Sequence, residues 1–247
     1  MYKIVFVRHG QSEWNAEGKF TGWTDIGLTD RGKQEAIEAA KLLKDYTFDL
    51  AITSVLKRNI ETLEIILKEL GLDLKIEKYW RLNERHYGAL QGINKKEATR
   101  EYGRNQIFQW RRGYDVKPPQ LSENDPRNPA FDSLYKDISK EYLPLGESLQ
   151  DTEKRTMMCW EKNIVPKIKK GKNIILVGHG NSLRSLIKNL DNISEKEIPH
   201  LDIPTGIPLI YELDEGMKPI KHYYLGNEED IKKKTEEVKN QAEYSPN

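Results

Sequence analysis

The chain has 247 residues, of which 37% are hydrophobic and 32% charged, and its formal net charge is +1. This length can bury one sizeable core. A nearly neutral chain lacks the overall field that favours nucleic acids or anionic membranes. The single cysteine, Cys159, excludes an internal disulfide framework and is typical of a reducing compartment. No apolar stretch approaches the ~20 residues of a membrane helix, so we expect a cytoplasmic protein.

The first half of the chain alternates apolar strands with amphipathic helices. Residues 3–7 predict the first strand, because Lys3 is followed by a continuous apolar run with β-branched members, which is typical of a buried strand in a parallel sheet. A helix is predicted to begin after Thr29, a good N-cap residue. Residues 49–53 predict a second strand, and the helix after it carries apolar residues at helical spacing through Leu70. A short strand is predicted near residues 75–77.

The second half repeats this alternation. Residues 149–168 predict one long helix, which Pro166 should kink or restart. A strand at 173–177 and a helix at 182–189 follow, and residues 209–213 predict the last strand. The alternation predicts an α/β fold with a mostly parallel central sheet and helices on both faces.

Residues 110–146 interrupt the pattern. This segment is too long for an ordinary connection, so we expect a functional insertion over the edge of the sheet, acting as a lid. We therefore predict a single catalytic domain over residues 1–227, including this insertion, and a polar C-terminal tail over residues 228–247. The prolines that punctuate the insertion are Pro118, Pro119, Pro126, Pro129 and Pro144.

Two predicted strands end in a similar motif. The first leads into Arg8-His9-Gly10 and the strand at 173–177 leads into Gly178-His179-Gly180. Ligands of open parallel sheets bind outside the carboxyl ends of the strands, so both imidazoles should share one edge. The second strand adds Ser54 and, in the first turn of the next helix, Arg58. Helix N-terminal amides at these junctions also bind anions.

These residue types together favour a site that handles phosphate. Planar guanidinium groups suit phosphate oxygens, and a neutral imidazole can attack phosphorus. One alternative is that each histidine is an isolated polar residue at a strand end. Another is a metal site, which needs three or four ligands. The positive charges of Arg8 and Arg58 oppose a bound cation, and no third ligand with suitable spacing is present, so we expect no metal.

The motifs resemble the histidine phosphatase superfamily and, more narrowly, its cofactor-dependent phosphoglycerate mutase branch. The signature runs from Arg8 to Asn15, with the sequence Arg-His-Gly-Gln-Ser-Glu-Trp-Asn. The segments 83–88 and 110–112 are highly specific to the mutase branch. The similarity covers nearly all of residues 1–227 and implies a phosphoglycerate mutase-like three-layer sandwich. Further similar blocks lie at residues 20–23, 53–58, 82–92, 109–113, 178–182 and 203–208.

The resemblance also implies roles for individual residues. His9 would carry the phosphoryl group as phosphohistidine, and Glu84 would be the general acid and base. Arg8, Arg58 and His179 would hold the oxygens of the transferring group. The implied substrate-binding residues are Ser12, Asn15, Thr21, Gly22, Tyr87, Lys95, Arg111, Arg112, Gly180 and Asn181. His86 is expected to be structural, His200 and His222 to be surface or satisfied polar residues, and Cys159 to lie in the core.

The implied activity is that of a glycolytic isomerase that interconverts 3-phosphoglycerate and 2-phosphoglycerate. The expected cofactor is 2,3-bisphosphoglycerate, which primes the phosphoenzyme, and no metal is expected. The expected partners are small phosphoglycerates, and relatives suggest a homodimer or homotetramer. A bisphosphoglycerate synthase or phosphatase, or a broad phosphomonoesterase of the same superfamily, is the alternative. An inactive scaffold is disfavoured because His9, Glu84 and His179 are all present.

Overall fold

The computed structural model describes residues 1–240, and its centre is a six-stranded sheet. The strands are β1 (Tyr2–Arg8), β2 (Leu50–Thr53), β3 (Ile76–Lys78), β4 (Ile174–Gly178), β5 (Pro208–Leu213) and β6 (Pro219–Tyr224). Their order across the sheet is β3-β2-β4-β1-β5-β6. The first four strands in this order are parallel, whereas β5 and β6 pair antiparallel. The predicted mostly parallel sheet is confirmed.

The register between β1 and β4 fixes the position of the two histidines. Ile4 lies beside Ile174, and four residues later Arg8 lies beside Gly178. The residues that follow these two partners, His9 and His179, therefore leave the sheet side by side. The main-chain N–H of His9 donates to the carbonyl oxygen of Gly178 at 3.1 Å, which continues the ladder to the point of exit.

Helices cover both faces of the sheet, as predicted. They are α1 (Glu13–Ala16), α2 (Asp30–Leu42), α3 (Lys57–Glu69), α4 (Lys95–Tyr102), α5 (Arg104–Arg112), α6 (Leu149–Cys159), α7 (Val165–Lys169), α8 (Gly180–Leu190) and α9 (Glu228–Asn240). α2 and α3 cover one face, where Ala36 and Leu63 pack against Val5. α6, α7 and α8 cover the other face, where Leu183 packs with Phe6. The result is a three-layer α/β fold.

Two local predictions for helices are confirmed. Thr29 caps α2, since its side chain accepts from the main-chain N–H of Gly32. The long helix predicted at 149–168 is interrupted as Pro166 requires: α6 ends at Cys159, a π-helical turn covers Trp160–Ile164, and α7 begins at Val165.

The prediction that Cys159 lies in the core is also confirmed. Burial of this residue raises the pKa of its thiol to about 12.

The strand predicted at residues 209–213 is confirmed as β5, but the prediction that it is the last strand is wrong. β6 (Pro219–Tyr224) follows β5 and pairs with it at the edge of the sheet. It gave no signal because an edge strand with a solvated face lacks the continuous apolar run of a buried strand. Ile220, for example, is exposed. The helices α4 and α5 were not predicted either, since both are strongly polar and have few buried residues.

The Pro-rich segment contains only short 3₁₀ turns between α5 and α6. It packs on the segment that follows β3: Ala89 N–H donates to the carbonyl of Pro119 at 2.8 Å, and the Asn83 side chain donates to the hydroxyl of Tyr135 at 2.8 Å. Gly88 has φ +56°, and a Cβ there would lie 2.1 Å from the Pro119 oxygen, so only glycine fits. The segment is thus fixed directly to residues that precede and follow Glu84.

The predicted C-terminal tail begins as a helix. α9 is joined to α2 by ion pairs between Glu237 and Arg31 and between Lys234 and Glu38. Residues 241–247 of the predicted tail lie outside the described residues. Within residues 1–240, no helix is both long enough and apolar enough to span a bilayer.

Candidate active site

A polar pocket lies at the carboxyl ends of the parallel strands. β1 and the segments that follow β1, β2, β3 and β4 each contribute residues to it, which matches the edge predicted from the two His-Gly motifs. The predicted site residues that line it are Arg8, His9, Asn15, Thr21, Gly22, Arg58, Glu84, Tyr87, Lys95, Arg111, Arg112, Gly180 and Asn181. Ser12 and His179 do not line the pocket, and each has a defined place behind its wall.

His9 follows β1 and presents one ring nitrogen to the pocket. Its Nδ1 lies 2.7 Å from the carbonyl oxygen of Gly10, so Nδ1 carries a hydrogen and Nε2 keeps a lone pair. Burial, reinforced by the charges of Arg58 and Arg8, holds the pKa of His9 well below its usual range. The imidazole is therefore neutral at neutral pH, which is the state that can attack phosphorus.

His179 lies against His9, with 5.1 Å between the ring centroids. Its Nε2 is 2.9 Å from the hydroxyl of Ser54. Its Nδ1 is buried and has no hydrogen-bond partner within residues 1–240. In the tautomer that accepts from Ser54, Nδ1 carries a hydrogen that a phosphoryl oxygen could accept. Burial, with Arg58 next in effect, also holds the pKa of His179 well below its usual range.

Two guanidinium groups are fixed beside the histidines by main-chain oxygens. Arg58 donates to the carbonyls of Thr24 at 3.0 Å and Gly22 at 2.8 Å. Arg8 donates to the carbonyl of Ile203 at 2.8 Å, and its buried Nε has no partner in the described part of the chain. Burial lowers the pKa of Arg58 to about 10, so it stays charged at neutral pH. These preorganised donors can stabilise a transferring phosphoryl group.

Glu84 reaches the pocket from the segment after β3. Its Oε1 accepts from the main-chain N–H of Arg85 at 2.7 Å and from that of Asn181 at 3.1 Å. The side chain of Asn181 in turn donates to the hydroxyl of Tyr87 at 3.1 Å. A single carboxylate is thus presented at a fixed point in a pocket of cations, where it can give or take a proton.

A second group of cations lines the pocket from α4 and α5. Burial, followed by the charges of Arg111 and Arg8, holds the pKa of Lys95 well below its usual range. Burial also lowers the pKa of Arg112 to about 10, although this side chain forms an ion pair with Asp202. Buried cations that lower one another's pKa are stabilised in their charged form by a bound anion. This part of the pocket can therefore hold a carboxylate or a second phosphate.

Ser12 has a structural place, whereas the resemblance had implied substrate binding. It is the N-cap of α1, and its hydroxyl accepts from the main-chain N–H of Asn15 at 3.2 Å. The Asn15 side chain accepts from Ser12 N–H at 3.2 Å, which completes a capping box. Ser12 thereby holds the short helix that presents Asn15 to the pocket.

Replacing Ser12 by alanine should lower the free energy of unfolding by about 1 kcal/mol, the usual cost of losing a serine cap, with kcat nearly unchanged. Urea unfolding and steady-state assays measure the two effects. Ser12→Gly is the matched control, because glycine is a tolerable N-cap that also lacks the hydroxyl. A large loss of activity in both variants would mean that the hydroxyl contacts substrate.

Sequence reasoning missed several residues of the pocket. Arg184 lies in α8, where it is buried and donates to the side-chain oxygen of Asn181 at 2.8 Å. In the sequence it resembles an ordinary solvated charge on an amphipathic helix. The signal that could have found it is its position one turn after the His179 motif, on the apolar face of that helix. The other additional lining residues are Lys19, Phe20, Ile203 and Val238.

The remaining histidines lie outside the pocket, as predicted. His86 is buried, its Nδ1 accepts from the N–H of Gly88 at 3.0 Å, and burial lowers its pKa to about 4. Nδ1 of His222 lies 3.3 Å from a carboxylate oxygen of Asp191. Across residues 1–240 there is no group of three or more His, Cys, Asp or Glu side chains placed to hold a metal ion.

Comparison with known proteins identifies the family. A family model described as the histidine phosphatase superfamily (branch 1) matches residues 4–225. The chain is 55% identical over 245 residues to the 2,3-bisphosphoglycerate-dependent phosphoglycerate mutase of Borreliella afzelii, covering 98% of this chain and 99% of the relative. It is 54% identical, with the same coverage, to the mutase of that name from Borreliella burgdorferi strain ZS7. The chain belongs to the histidine phosphatase superfamily.

Solved structures agree on the fold. A mycobacterial glucosyl-3-phosphoglycerate phosphatase superposes with a TM-score of 0.69 at 19% identity, covering 91% of this chain and 97% of that one. The α-ribazole phosphatase of Shigella flexneri superposes with a TM-score of 0.67 at 20% identity, covering 91% and 96%. At these identities the likeness concerns the three-layer fold alone.

Proposed function

We propose that this member of the superfamily is a 2,3-bisphosphoglycerate-dependent phosphoglycerate mutase that interconverts 3-phosphoglycerate and 2-phosphoglycerate in glycolysis and gluconeogenesis. The observation that carries the proposal is that one pocket holds more cations than a single phosphate needs, from two different parts of the fold. Arg8 and Arg58 flank the neutral imidazole of His9, and a second group lies on α4 and α5. A simple phosphomonoesterase needs only the first group, whereas a substrate with phosphate and carboxylate groups uses both.

In the proposed mechanism, Nε2 of His9 attacks phosphorus in line with the departing oxygen. An N–P bond forms, a P–O bond breaks, and Glu84 gives its proton to the departing oxygen. In the reverse half-reaction Glu84 takes the proton from a substrate hydroxyl as phospho-His9 releases its phosphoryl group to that oxygen. Arg8 and Arg58 neutralise the charge on the equatorial oxygens throughout, and His179 donates a hydrogen bond from Nδ1 to one of them.

The second group of cations would hold the part of the substrate that does not react. Lys95, Arg111 and Arg112 supply the charge for a carboxylate and a second phosphate. Bound 2,3-bisphosphoglycerate would supply the phosphoryl group that primes His9. The crowding of these buried cations fits such a multiply charged anion. Asn15, Thr21, Gly22, Tyr87, Gly180 and Asn181 would complete the binding surface.

Mutase activity should survive EDTA and should require priming by 2,3-bisphosphoglycerate. The arginine and lysine side chains supply the positive charge that a metal ion would otherwise provide, so chelation removes nothing that the reaction needs. The measurement is the rate of interconversion with and without EDTA and the bisphosphate, with mutase, synthase and phosphatase rates compared on one preparation. Activity lost on chelation would reject the proposed mechanism, and a dominant synthase or phosphatase rate would reject the mutase assignment.

Phosphoglycerates are the proposed partners of the pocket. The cytoplasmic location remains a prediction from the sequence, and the homodimer or homotetramer remains a prediction from the family resemblance.

A further inference from the structure

We propose that Arg155, held by Glu147, is a positioning residue. It fixes the backbone of Glu84 so that the Glu84 carboxylate lies where it can exchange a proton with the substrate. The inference rests on the proposed role of Glu84 in the mutase reaction. Neither Arg155 nor Glu147 lines the pocket, so each would act only through the segment that carries Glu84.

The guanidinium group of Arg155 donates hydrogen bonds to the main chain around Glu84. From α6, its Nη2 donates to the carbonyl oxygen of Glu84 itself at 2.8 Å. Its Nη1 donates to the carbonyls of Arg81 and Asn83, each at 2.8 Å. One side chain therefore holds three carbonyl groups of the four-residue stretch that ends at Glu84.

Glu147 holds both Arg155 and the residues that follow Glu84. Its carboxylate accepts two hydrogen bonds from Arg155, from Nε at 2.7 Å and from Nη2 at 2.8 Å. The same carboxylate accepts from the main-chain N–H of His86 at 2.8 Å. The main-chain carbonyl of Glu147 accepts from Nε of Arg85 at 2.7 Å. The backbone is thus held immediately before and immediately after Glu84.

Trp23 gives a second, independent support to the same atom. Its indole Nε1 donates to the carbonyl oxygen of Glu84 at 2.5 Å, and its ring lies 5.4 Å from the Arg155 guanidinium. Two donors from separate elements converge on one carbonyl, which fixes the start of the Glu84 side chain. The carboxylate at the other end is fixed by the N–H of Asn181.

A positioning role explains why an ion pair is buried here. Arg155 and Glu147 are 8% and 3% exposed. A buried ion pair adds little net stability compared with apolar residues of the same size. A general acid, however, must lie within hydrogen-bond distance of its substrate oxygen, and a misplacement of ~1 Å can cost about 100-fold in rate.

The first test is Arg155→Lys, which keeps the positive charge but loses the two-pronged geometry. We expect kcat for phosphoglycerate to fall about 10- to 100-fold while KM stays nearly unchanged, because the pocket wall is intact. The second readout uses 2,4-dinitrophenyl phosphate, whose acidic phenol leaves without a proton. Release of dinitrophenolate in the first turnover reports phosphorylation of His9 without help from Glu84, so Arg155→Lys should leave this rate nearly unchanged.

A double-mutant cycle with Glu84→Gln separates positioning from general damage. If Arg155 acts through Glu84, then Arg155→Lys should cost little further activity in the Glu84→Gln background. The matched control is Glu153→Gln on the same helix, whose carboxylate contacts Lys188 of α8 at 3.4 Å and accepts from Asn189 at 2.7 Å, outside the pocket. Glu153→Gln should leave unchanged both kcat for phosphoglycerate and the rate of dinitrophenolate release.

Equal losses with both phosphoryl donors, additive effects in the cycle, or a wild-type kcat would each overturn the inference. If Arg155→Lys fails to fold, Trp23→Phe removes the other donor to the Glu84 carbonyl and should show the same selective loss. Failure of the proposed function looks different, because the wild-type protein itself would then lack mutase activity with primed substrate.

Discussion

His9→Ala should abolish phosphoenzyme formation and lower the mutase kcat by roughly 10⁵-fold or more, the scale expected when a covalent nucleophile is removed. The attacking atom is Nε2 of His9, and burial and two neighbouring arginines keep this nitrogen unprotonated, with its lone pair free. Alanine leaves the guanidinium groups of Arg8 and Arg58 in place, so the variant should still bind the bisphosphate. Incubation with labelled 2,3-bisphosphoglycerate, followed by alkaline and acid treatment, measures the acid-labile label on the protein.

The control for this experiment is His200→Ala, since His200 lies outside the pocket and is exposed. It should take up label at the wild-type rate. Acid-labile label retained by His9→Ala would place the phosphoryl group on another residue, with His179 the first to examine because its ring is adjacent.

Glu84→Gln should keep substrate binding and lower kcat by about 10²- to 10⁴-fold, the usual contribution of a general acid or base. Glutamine has the same shape, and its side-chain oxygen can still accept from the N–H groups of Arg85 and Asn181. The side chain at position 84 therefore keeps its position and its hydrogen bonds, but it can no longer exchange a proton with the substrate. Steady-state kinetics give kcat, and titration calorimetry with 3-phosphoglycerate gives the dissociation constant.

The matched control for Glu84→Gln is Glu61→Gln. The Glu61 carboxylate also accepts from a main-chain N–H, that of Leu28 at 2.9 Å, but it lies outside the pocket. It should cost little turnover. A wild-type kcat in Glu84→Gln would show that another group moves the proton.

The sequence was informative wherever burial on both faces of the sheet leaves a continuous apolar pattern. The strands that lead into His9 and His179 are of this kind, and the residues that follow them were enough to predict that both imidazoles share one edge. The cap at Thr29 and the break at Pro166 were also predictable, because each depends on chemistry local to the residue. Glu84 is different: its role was suggested only by the resemblance to a family.

Features that depend on contacts between distant segments could not be predicted. Arg184 looks like a surface charge until the residues around α8 enclose it. Val238 reaches the pocket because ion pairs between α9 and α2 fix its helix, and no pattern near it in the chain indicates this. The capping role of Ser12 could not be predicted either, because a serine in a signature does not show whether its hydroxyl caps a helix or contacts a ligand.

The strand order has a consequence for the growing polypeptide on the ribosome. β4 lies between β1 and β2, yet residues 174–178 are synthesised long after both of its neighbours. Until β4 inserts, β1 has no parallel partner and His9 lacks the ring of His179. A nascent chain that stalls before β4 therefore cannot acquire the complete site, because neither the parallel partner of β1 nor His179 has yet been synthesised.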